Sequence, residues 1–243
     1  MPSVLPIWDY SAREPAENLA ADEALLDWCE AGEDRQALRF WESPVDFVVL
    51  GYGNRAAEEA RLEECRAADV PVLRRCSGGG TVLQGPGCLN YSVVLEIARP
   101  PGLESITATN RFVMERNRAA IEQRLGSPVS IEGFTDLATG GRKFSGNAQR
   151  RKRRCLLFHG TMLVGLDLAR VAQFLLPPPR QPEYRRARSH EEFVTNLPLT
   201  TDDVKAALAG GGGAGGSFGE DLSGATARLV AERYGRDDWN LRI

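Results

Sequence analysis

Lysine and histidine are both scarce in this chain of 243 residues. Three of its 30 basic residues are lysines (Lys143, Lys152 and Lys205), and its two histidines are His159 and His190. So few histidines argue against a metal centre built on imidazoles. A lysine retained among so many arginines invites a functional explanation, because an ammonium is a compact point charge and a guanidinium is a wide planar fork.

The cysteines form no C-x-x-C pair and are odd in number. The five are Cys29, Cys65, Cys76, Cys88 and Cys155. This scatter predicts neither a disulfide framework nor a zinc site, and it favours a reducing cytoplasm.

Long apolar runs are also missing, and so is a strong excess of either charge. The sequence contains no run of about 18 apolar residues, so no membrane span is predicted. The N-terminus lacks the basic segment followed by an apolar segment that is typical of a secretory signal peptide. A net charge of −3 argues against a general nucleic-acid binder. The composition, 42% hydrophobic and 26% charged, is that of an ordinary globular protein. No motif indicates an oligomer, so a monomer is predicted.

Helical and strand patterns are mixed along the chain, which predicts an α/β (α+β) fold with a mixed sheet. Segments with helical spacing are residues 15–31, 56–68, 107–125, 167–175 and 219–234. Segments typical of strands are residues 38–42, 46–52, 70–75, 88–97, 129–134, 135–139, 142–146 and 156–164. The two strands at 38–42 and 46–52 are predicted to be joined by the turn S-P-V.

Changes in composition suggest three regions. Residues 1–209 are predicted to form one domain, in which a polar and basic loop follows P-P-P-R-Q-P at 177–182. The run G-G-G-G-A-G-G within 210–217 is typical of a flexible linker. Residues 218–243 then form a short helical tail.

A glycine run marks the first chemically informative segment, R-R-C-S-G-G-G-T-V at 74–82. Glycine is unfavourable in regular elements, so three in a row indicate a turn or a close approach of backbone to a ligand. Taken alone, the run fits a hairpin turn.

The second informative segment is G-R-K-F-S-G-N-A-Q-R-R-K-R-R at 141–154, followed by H-G-T at 159–161. Alone, R-R-K-R-R is typical of a solvated basic loop, and a lone histidine is more often structural than catalytic.

Together these motifs resemble the lipoate–protein ligase A family, within the larger biotin/lipoate ligase and octanoyltransferase group. The order is R-R-x-S-G-G-G-T-V, G-x-L-N-Y-S, D-L, R-K-F-S-G-N-A-Q, H-G-T-M-L-V and F-V-T-N-L, and it covers roughly residues 20 to 200. The resemblance implies a largely antiparallel sheet flanked by helices. It also implies ATP and Mg²⁺, a lipoate or octanoate substrate, and a lipoyl-domain or H-protein acceptor.

The resemblance assigns roles to individual residues. Lys143 is the expected catalytic residue, whose ammonium offsets negative charge on the carboxylate or acyl-phosphate oxygen. The expected substrate and adenylate contacts are Arg75, Ser77, Gly78, Gly79, Gly80, Thr81, Asn90, Asp136, Gly146, Ala148, His159 and Thr161.

Departures from the family pattern keep alternatives open. Gln84-Gly85 stands where many ligases have His-Asp, Cys88 stands where asparagine is common, and the small C-terminal accessory domain is absent, which leaves room for a separate accessory subunit. A thioester-forming octanoyl or lipoyl transferase needs a cysteine near Lys143, and none lies between residues 89 and 154. Cys76, Cys88 and Cys155 are the candidates for that role. A non-catalytic lipoyl-binding protein is the third alternative.

Overall fold

The computed structural model describes residues 4–99 and 102–242 of the chain. Residues 1–3, 100–101 and 243, which belong to the predicted catalytic domain and tail, lie outside the described residues. The strands in the described part are β1 (Leu5–Asp9), β2 (Ala37–Trp41), β3 (Phe47–Leu50), β4 (Val72–Arg74), β5 (Val82–Gln84), β6 (Cys88–Glu96), β7 (Ser130–Glu132), β8 (Asp136–Thr139), β9 (Arg142–Arg151), β10 (Cys155–Leu163) and β11 (Ala214–Ser217). The helices are α1 (Pro15–Ala31), α2 (Ala56–Glu59), α3 (Leu62–Ala67), α4 (Ile106–Leu125), α5 (Leu168–Phe174), α6 (His190–Phe193), α7 (Thr201–Gly212), α8 (Ser223–Leu229) and α9 (Asp237–Asn240).

Two sheets form the framework. The larger has eight strands in the order β11-β1-β2-β6-β10-β9-β8-β7, and the smaller has the order β4-β3-β5. In the larger sheet only β11–β1 and β1–β2 are parallel, and the other neighbours are antiparallel. The predicted mixed, largely antiparallel sheet is therefore confirmed.

Both faces of the large sheet are covered by helices. Every residue of β6 is buried, and neighbouring residues alternate between two cores as strand geometry requires. Val94 packs on the α1 side with Leu25, whereas Val93 packs on the α4 side with Met114. The buried residues of β6 are apolar except for Asn90, Ser92 and Glu96 and the phenol of Tyr91.

Helix α4 shows how local signals set element ends. The Ser105 hydroxyl accepts a hydrogen bond from the Ala108 amide at the start, and Gly126 adopts a left-handed φ of 68° at the end. The predicted helix over 107–125, ended by Gly126, is confirmed apart from one additional residue at its start. The helix predicted over 15–31 is also confirmed.

The helix predicted over 56–68 is instead two short helices. Ala60 is extended and forms an isolated β-bridge with Leu175, and the Arg61 amide donates to the Phe174 carbonyl. Tertiary pairing therefore overrides the helical propensity of the segment. The two strands predicted on either side of the S-P-V turn are present as β2 and β3, and they belong to different sheets.

The glycine-rich segment 210–217 is not a linker in the structure. Its first glycines end α7, Gly213 closes that helix with a φ of 64°, and β11 follows and pairs with β1. A Cβ on Gly211 would come within 2.8 Å of the Ala120 Cβ on α4. Glycine is therefore required here for close helix packing, and composition alone concealed this role.

A disulfide between Cys29 and Cys155 corrects the expectation drawn from the cysteine count. It joins α1 to β10 across 126 residues of sequence, and both cysteines are fully buried. The pairing depends on tertiary contact, since neither the spacing nor the neighbours of these cysteines reveal it.

The tail and the basic tract are both built into the fold. The tail forms α8, a π-helical turn at Val230–Tyr234 and α9, and Tyr234 is fully buried beside α1. The tract R-R-K-R-R, which alone suggested a solvated loop, ends β9 and joins it to β10. Its Lys152 pairs with Asp27. No described helix is long and apolar enough to cross a membrane.

Candidate active site

A cavity of about 520 Å³ lies between the two sheets. Its walls come from the glycine-rich loop (residues 77–81), strands β9 and β10, α1, and the segment 175–194. Apolar side chains from different elements line it, among them Leu19, Leu163 and Leu166. A cavity with apolar lining and a few polar groups suits an acyl chain with a polar head.

Arg75 organises the glycine-rich loop from within. Its guanidinium donates to the carbonyl oxygens of Gly78 at 2.6 Å and Gly80 at 2.8 Å, and its Nε donates to the Ser77 Oγ at 3.1 Å. Burial lowers the pKa of Arg75 to about 10. Arg75 also lines the cavity, so one side chain both shapes the loop and faces the ligand space.

Gly79 is the loop position that needs glycine. Its φ is +92°, and a Cβ there would lie 2.8 Å from the Arg75 Nη2. Both facts exclude a larger residue without rearrangement. The glycine run is therefore a cavity-facing loop packed around an arginine.

A buried chain of side chains connects this loop to helix α1. The Ser77 Oγ lies 2.6 Å from the His159 Nε2, and the His159 Nδ1 lies 3.3 Å from the Asp22 Oδ2. The other oxygen of Asp22 accepts from the Arg39 Nη1 at 2.5 Å. Burial alone would raise the pKa of Asp22, but the Arg39 guanidinium and the His159 hydrogen bond hold it below its ordinary value of 3.8.

Sequence reasoning missed Asp22 and Arg39. Both side chains are almost completely buried, and Arg39 also lies over the rings of Trp8 and Trp41 at 5.0 and 5.3 Å. The available signal was a charged residue inside an otherwise apolar strand, L-R-F-W, and an acidic residue in an apolar helix. Charged side chains are rarely buried unless they pair with an opposite charge.

Lys143 and Asp136 form the second polar centre of the cavity. The Lys143 Nζ lies 2.8 Å from the Asp136 Oδ1, and the two side chains keep exposures of 24% and 16%. The Tyr184 hydroxyl donates to the Asp136 Oδ2 at 2.7 Å. A Cβ on Gly146 would lie 2.7 Å from the Lys143 Nζ. Gly146 therefore provides the space in which the ammonium crosses β9.

Most residues predicted from the resemblance meet at this cavity. Those that line it are Arg75, Gly79, Gly80, Thr81, Asn90, Asp136, Lys143, Gly146, Ala148, His159 and Thr161. Two of them are not part of the lining: Ser77 is buried against His159, and Gly78, whose carbonyl accepts from Arg75, is exposed. Strand register explains part of the convergence, because Asn90 pairs with Thr161 and Ala148 pairs with His159. The roles of these residues toward a substrate stay predictions.

The five cysteines all belong to the described residues, and none of them lines the cavity. Cys65, Cys76 and Cys88 are free and buried, and burial raises the pKa of both Cys76 and Cys88 to about 12. A nucleophilic thiol needs the opposite shift.

These features define a catalytic domain with an acyl-sized cavity, a glycine-rich loop and a lysine–carboxylate pair. The family model of the lipoyl protein ligase A/B catalytic domain matches residues 14–210. The chain belongs to this family.

Relatives from two branches are similar to the chain. A candidate lipoate-protein ligase A of Aeropyrum pernix is 36% identical over 164 residues, which is 67% of this chain and 59% of that protein. The chain thus spans about six tenths of that relative's length. The octanoyltransferase LipM of Halalkalibacterium halodurans is 26% identical over 96% of this chain and 97% of its own length.

Solved structures show the same fold. The bi-partite lipoate protein ligase of Thermoplasma acidophilum, studied with its E2 lipoyl domain, superposes with a TM-score of 0.83 at 25% identity. The match covers 98% of this chain and 96% of that one. A lipoate-protein ligase A bound with ATP gives a TM-score of 0.82 at 25% identity, over 98% of this chain and 99% of that one.

Proposed function

We propose that the protein is an ATP-dependent lipoate–protein ligase. It joins lipoate to AMP and then transfers the lipoyl group to a lysine of a lipoyl domain or H protein. The observation that carries the proposal is the set of side chains that line the cavity. Among the described residues it presents the Lys143–Asp136 pair and the glycine-rich loop, and it presents no thiol.

Two steps make up the proposed reaction. In the first, a carboxylate oxygen of lipoate attacks the α-phosphorus of ATP, and pyrophosphate leaves. In the second, the neutral amine of the acceptor lysine attacks the acyl carbonyl, its proton is lost, and AMP leaves. Negative charge grows on oxygen in both steps, so a fixed cation at the reacting oxygens lowers both barriers.

Lys143 is placed to supply that cation. Asp136 holds its ammonium at 2.8 Å, and Tyr184 fixes Asp136 in turn. An ammonium on a flexible stem can follow an oxygen that moves between the two steps, whereas a guanidinium presents a wide fork. The backbone N–H groups of Gly79 and Gly80 are further donors for the acyl-phosphate, since no side chain shields them.

In this scheme Mg²⁺ binds together with ATP. No group of three or more His, Cys, Asp or Glu side chains in the described residues is arranged to hold a metal ion. Mg²⁺ commonly binds through substrate phosphates and few protein carboxylates. We therefore expect it to enter with ATP.

Two solved structures support the substrates and partners. The relative bound with ATP supports nucleotide binding, and the archaeal bi-partite ligase with its lipoyl domain supports both the acceptor and a separate accessory subunit. We further propose that the enzyme acts in the cytoplasm and that the chain does not associate with further copies of itself.

Octanoyl transfer is the second candidate. The observation that favours it is the near full-length match to LipM octanoyltransferases, such as that of Kyrpidia tusciae, with 30% identity over 93% of this chain and 94% of that one. Transfer through an enzyme thioester needs a reactive cysteine at the acyl group. The buried, high-pKa thiols of this chain do not meet that need.

One assay separates the candidates. Purified protein is incubated with an apo H protein and either free lipoate, ATP and Mg²⁺ or the octanoyl thioester of an acyl carrier protein, and the acceptor is followed by intact mass. A lipoyl mass gain that depends on ATP supports the ligase. A gain only from the thioester establishes the transferase. No gain from either donor, also after the accessory subunit of a bi-partite ligase is added, contradicts both enzymes.

A further inference from the structure

One part of the cavity has no role in the reaction proposed above. Its lining comes from the segment 178–194 and includes Arg180, Arg185 and His190. It connects with the reacting centre, because the Thr195 amide donates to the Lys143 carbonyl and Val194 bridges to the Lys143 strand.

Arg185 stands out in this part of the cavity, because it is buried and lacks an anionic partner. It is 5% exposed and lines the cavity. Its Nε donates to the Arg188 carbonyl, and its guanidinium lies 4.8 Å from the centre of the Phe193 ring. Its two terminal nitrogens make no hydrogen bond or ion pair with any residue in the described ranges 4–99 and 102–242.

The carboxylates of the cavity do not compensate this charge. Asp22 pairs with Arg39, Asp136 pairs with Lys143, and Glu59 accepts from Asn54 and from the Thr81 amide.

Basic residues lie near Arg185. Burial, together with the nearby Arg188, lowers the pKa of Arg185 although Tyr184 opposes this. Burial and then the Arg185 charge lower the pKa of His190. A charge is seldom buried without a partner, so this arrangement indicates that the partner is a ligand.

The backbone that carries Arg185 is held in place by several bonds. Arg186 and Ala187 both adopt left-handed φ values, 52° and 57°. The Arg188 guanidinium donates to the carbonyls of Gly141 and Tyr184 at 2.9 Å each, and it lies 5.3 Å from the centre of the Phe193 ring. These contacts hold the loop that carries Arg185 against Gly141 and the Phe193 ring.

We infer that Arg185 forms an anion subsite that binds a phosphate group of the substrate, beyond the centre held by Lys143. The inference rests on the proposed function in one respect, the source of the phosphate. For a ligase it is the β- and γ-phosphates of ATP, which leave as pyrophosphate. For a thioester transferase it is the phosphate of a phosphopantetheine arm.

Titration calorimetry of the full-length chain tests the inference with inorganic pyrophosphate, ATP, AMP and 4′-phosphopantetheine as probes. Arg185→Gln removes the charge, and Arg185→Lys keeps it in case the glutamine variant loses its fold. Arg186→Gln is the matched control, because it removes one positive charge from an exposed position of the same loop. Melting temperatures establish that each variant is folded.

Loss of a charge-assisted contact predicts pyrophosphate and ATP binding weakened by about 10- to 100-fold in Arg185→Gln. AMP binding should change less than about threefold, and Arg185→Lys should recover part of the loss. Arg186→Gln should match the wild type. If only 4′-phosphopantetheine binding depends on Arg185, the subsite stands and the ligase proposal fails. Equal affinities of wild type and Arg185→Gln for every probe overturn the inference.

Discussion

The hydroxyl of Ser77 and the imidazole of His159 lie 2.6 Å apart and join the glycine-rich loop to strand β10. Asp22 is held ionised beside Arg39, so the His159 Nδ1 is the ring nitrogen that donates toward Asp22, and the Nε2 faces the Ser77 hydroxyl. The position of the loop thus depends on a helix residue far away in sequence. This chain of side chains fixes the loop, and its Asp22 and His159 also line the cavity.

Asp22→Asn should destabilise the protein by about 3–5 kcal/mol, because it leaves Arg39 buried without its countercharge. Urea denaturation measures this loss. Asp27→Asn on the same helix is the control, since its pair with Lys152 is about one third exposed and is worth about 1 kcal/mol or less. Equal effects of the two substitutions would contradict the assigned role of Asp22.

The same pair predicts a pH dependence. The folded-state pKa of Asp22 lies below its ordinary value of 3.8, so its stabilising contribution is present above that value and is lost as the pH falls through the folded pKa. The Asp22→Asn variant should lack this part of the acid transition. Parallel acid unfolding curves for both proteins would show that another group governs it.

Lys143→Arg should lower kcat about 100-fold or more while the melting temperature stays near that of the wild type. The guanidinium is too wide for the space over Gly146, where the ammonium nitrogen already lies only 2.7 Å from the point that a Cβ would occupy. Lys152→Arg, at a surface pair, should keep wild-type turnover. Near-normal turnover of the Lys143→Arg variant would remove the requirement for a point charge.

Much of the fold followed from the sequence wherever local signals and tertiary packing agree. Helix α1 and helix α4 carry their own end signals, and β6 and β10 carry dense β-formers. The prediction failed where tertiary contact decides. Ala60 leaves a helix to pair with Leu175, and the glycines before β11 serve helix packing.

The candidate site shows the same division. Lys143, Asp136 and the glycine-rich loop were found because motifs carry them. Asp22 and Arg185 were missed, because their significance lies in burial and in missing or distant partners, which spacing does not reveal. The Cys29–Cys155 disulfide belongs to the same class, since it depends on how α1 lies across β10.

Gly79→Val should weaken lipoate binding at least about tenfold, because the left-handed backbone and the nearby Arg75 leave no room for a side chain. Gly78→Ala is the matched control, since no atom lies within 4 Å of its added Cβ. Calorimetry with lipoate measures both. A lower melting temperature with unchanged lipoate affinity would make the loop a plain turn.

The free cysteines separate the two enzymatic candidates. A ligase carries its activated acyl group as a mixed anhydride with AMP, so no sulfur takes part, whereas a thioester transferase cannot proceed without one. We expect Cys76→Ser and Cys88→Ser each to keep ATP-dependent lipoylation within about tenfold, a change of about 1.4 kcal/mol in the barrier. Some loss of stability is expected, because a hydroxyl replaces a thiol in an apolar core. Intact-mass analysis of the enzyme after turnover with the octanoyl thioester donor completes the test. An acyl adduct on Cys76 or Cys88 that disappears together with activity in the serine variant would establish the thioester route.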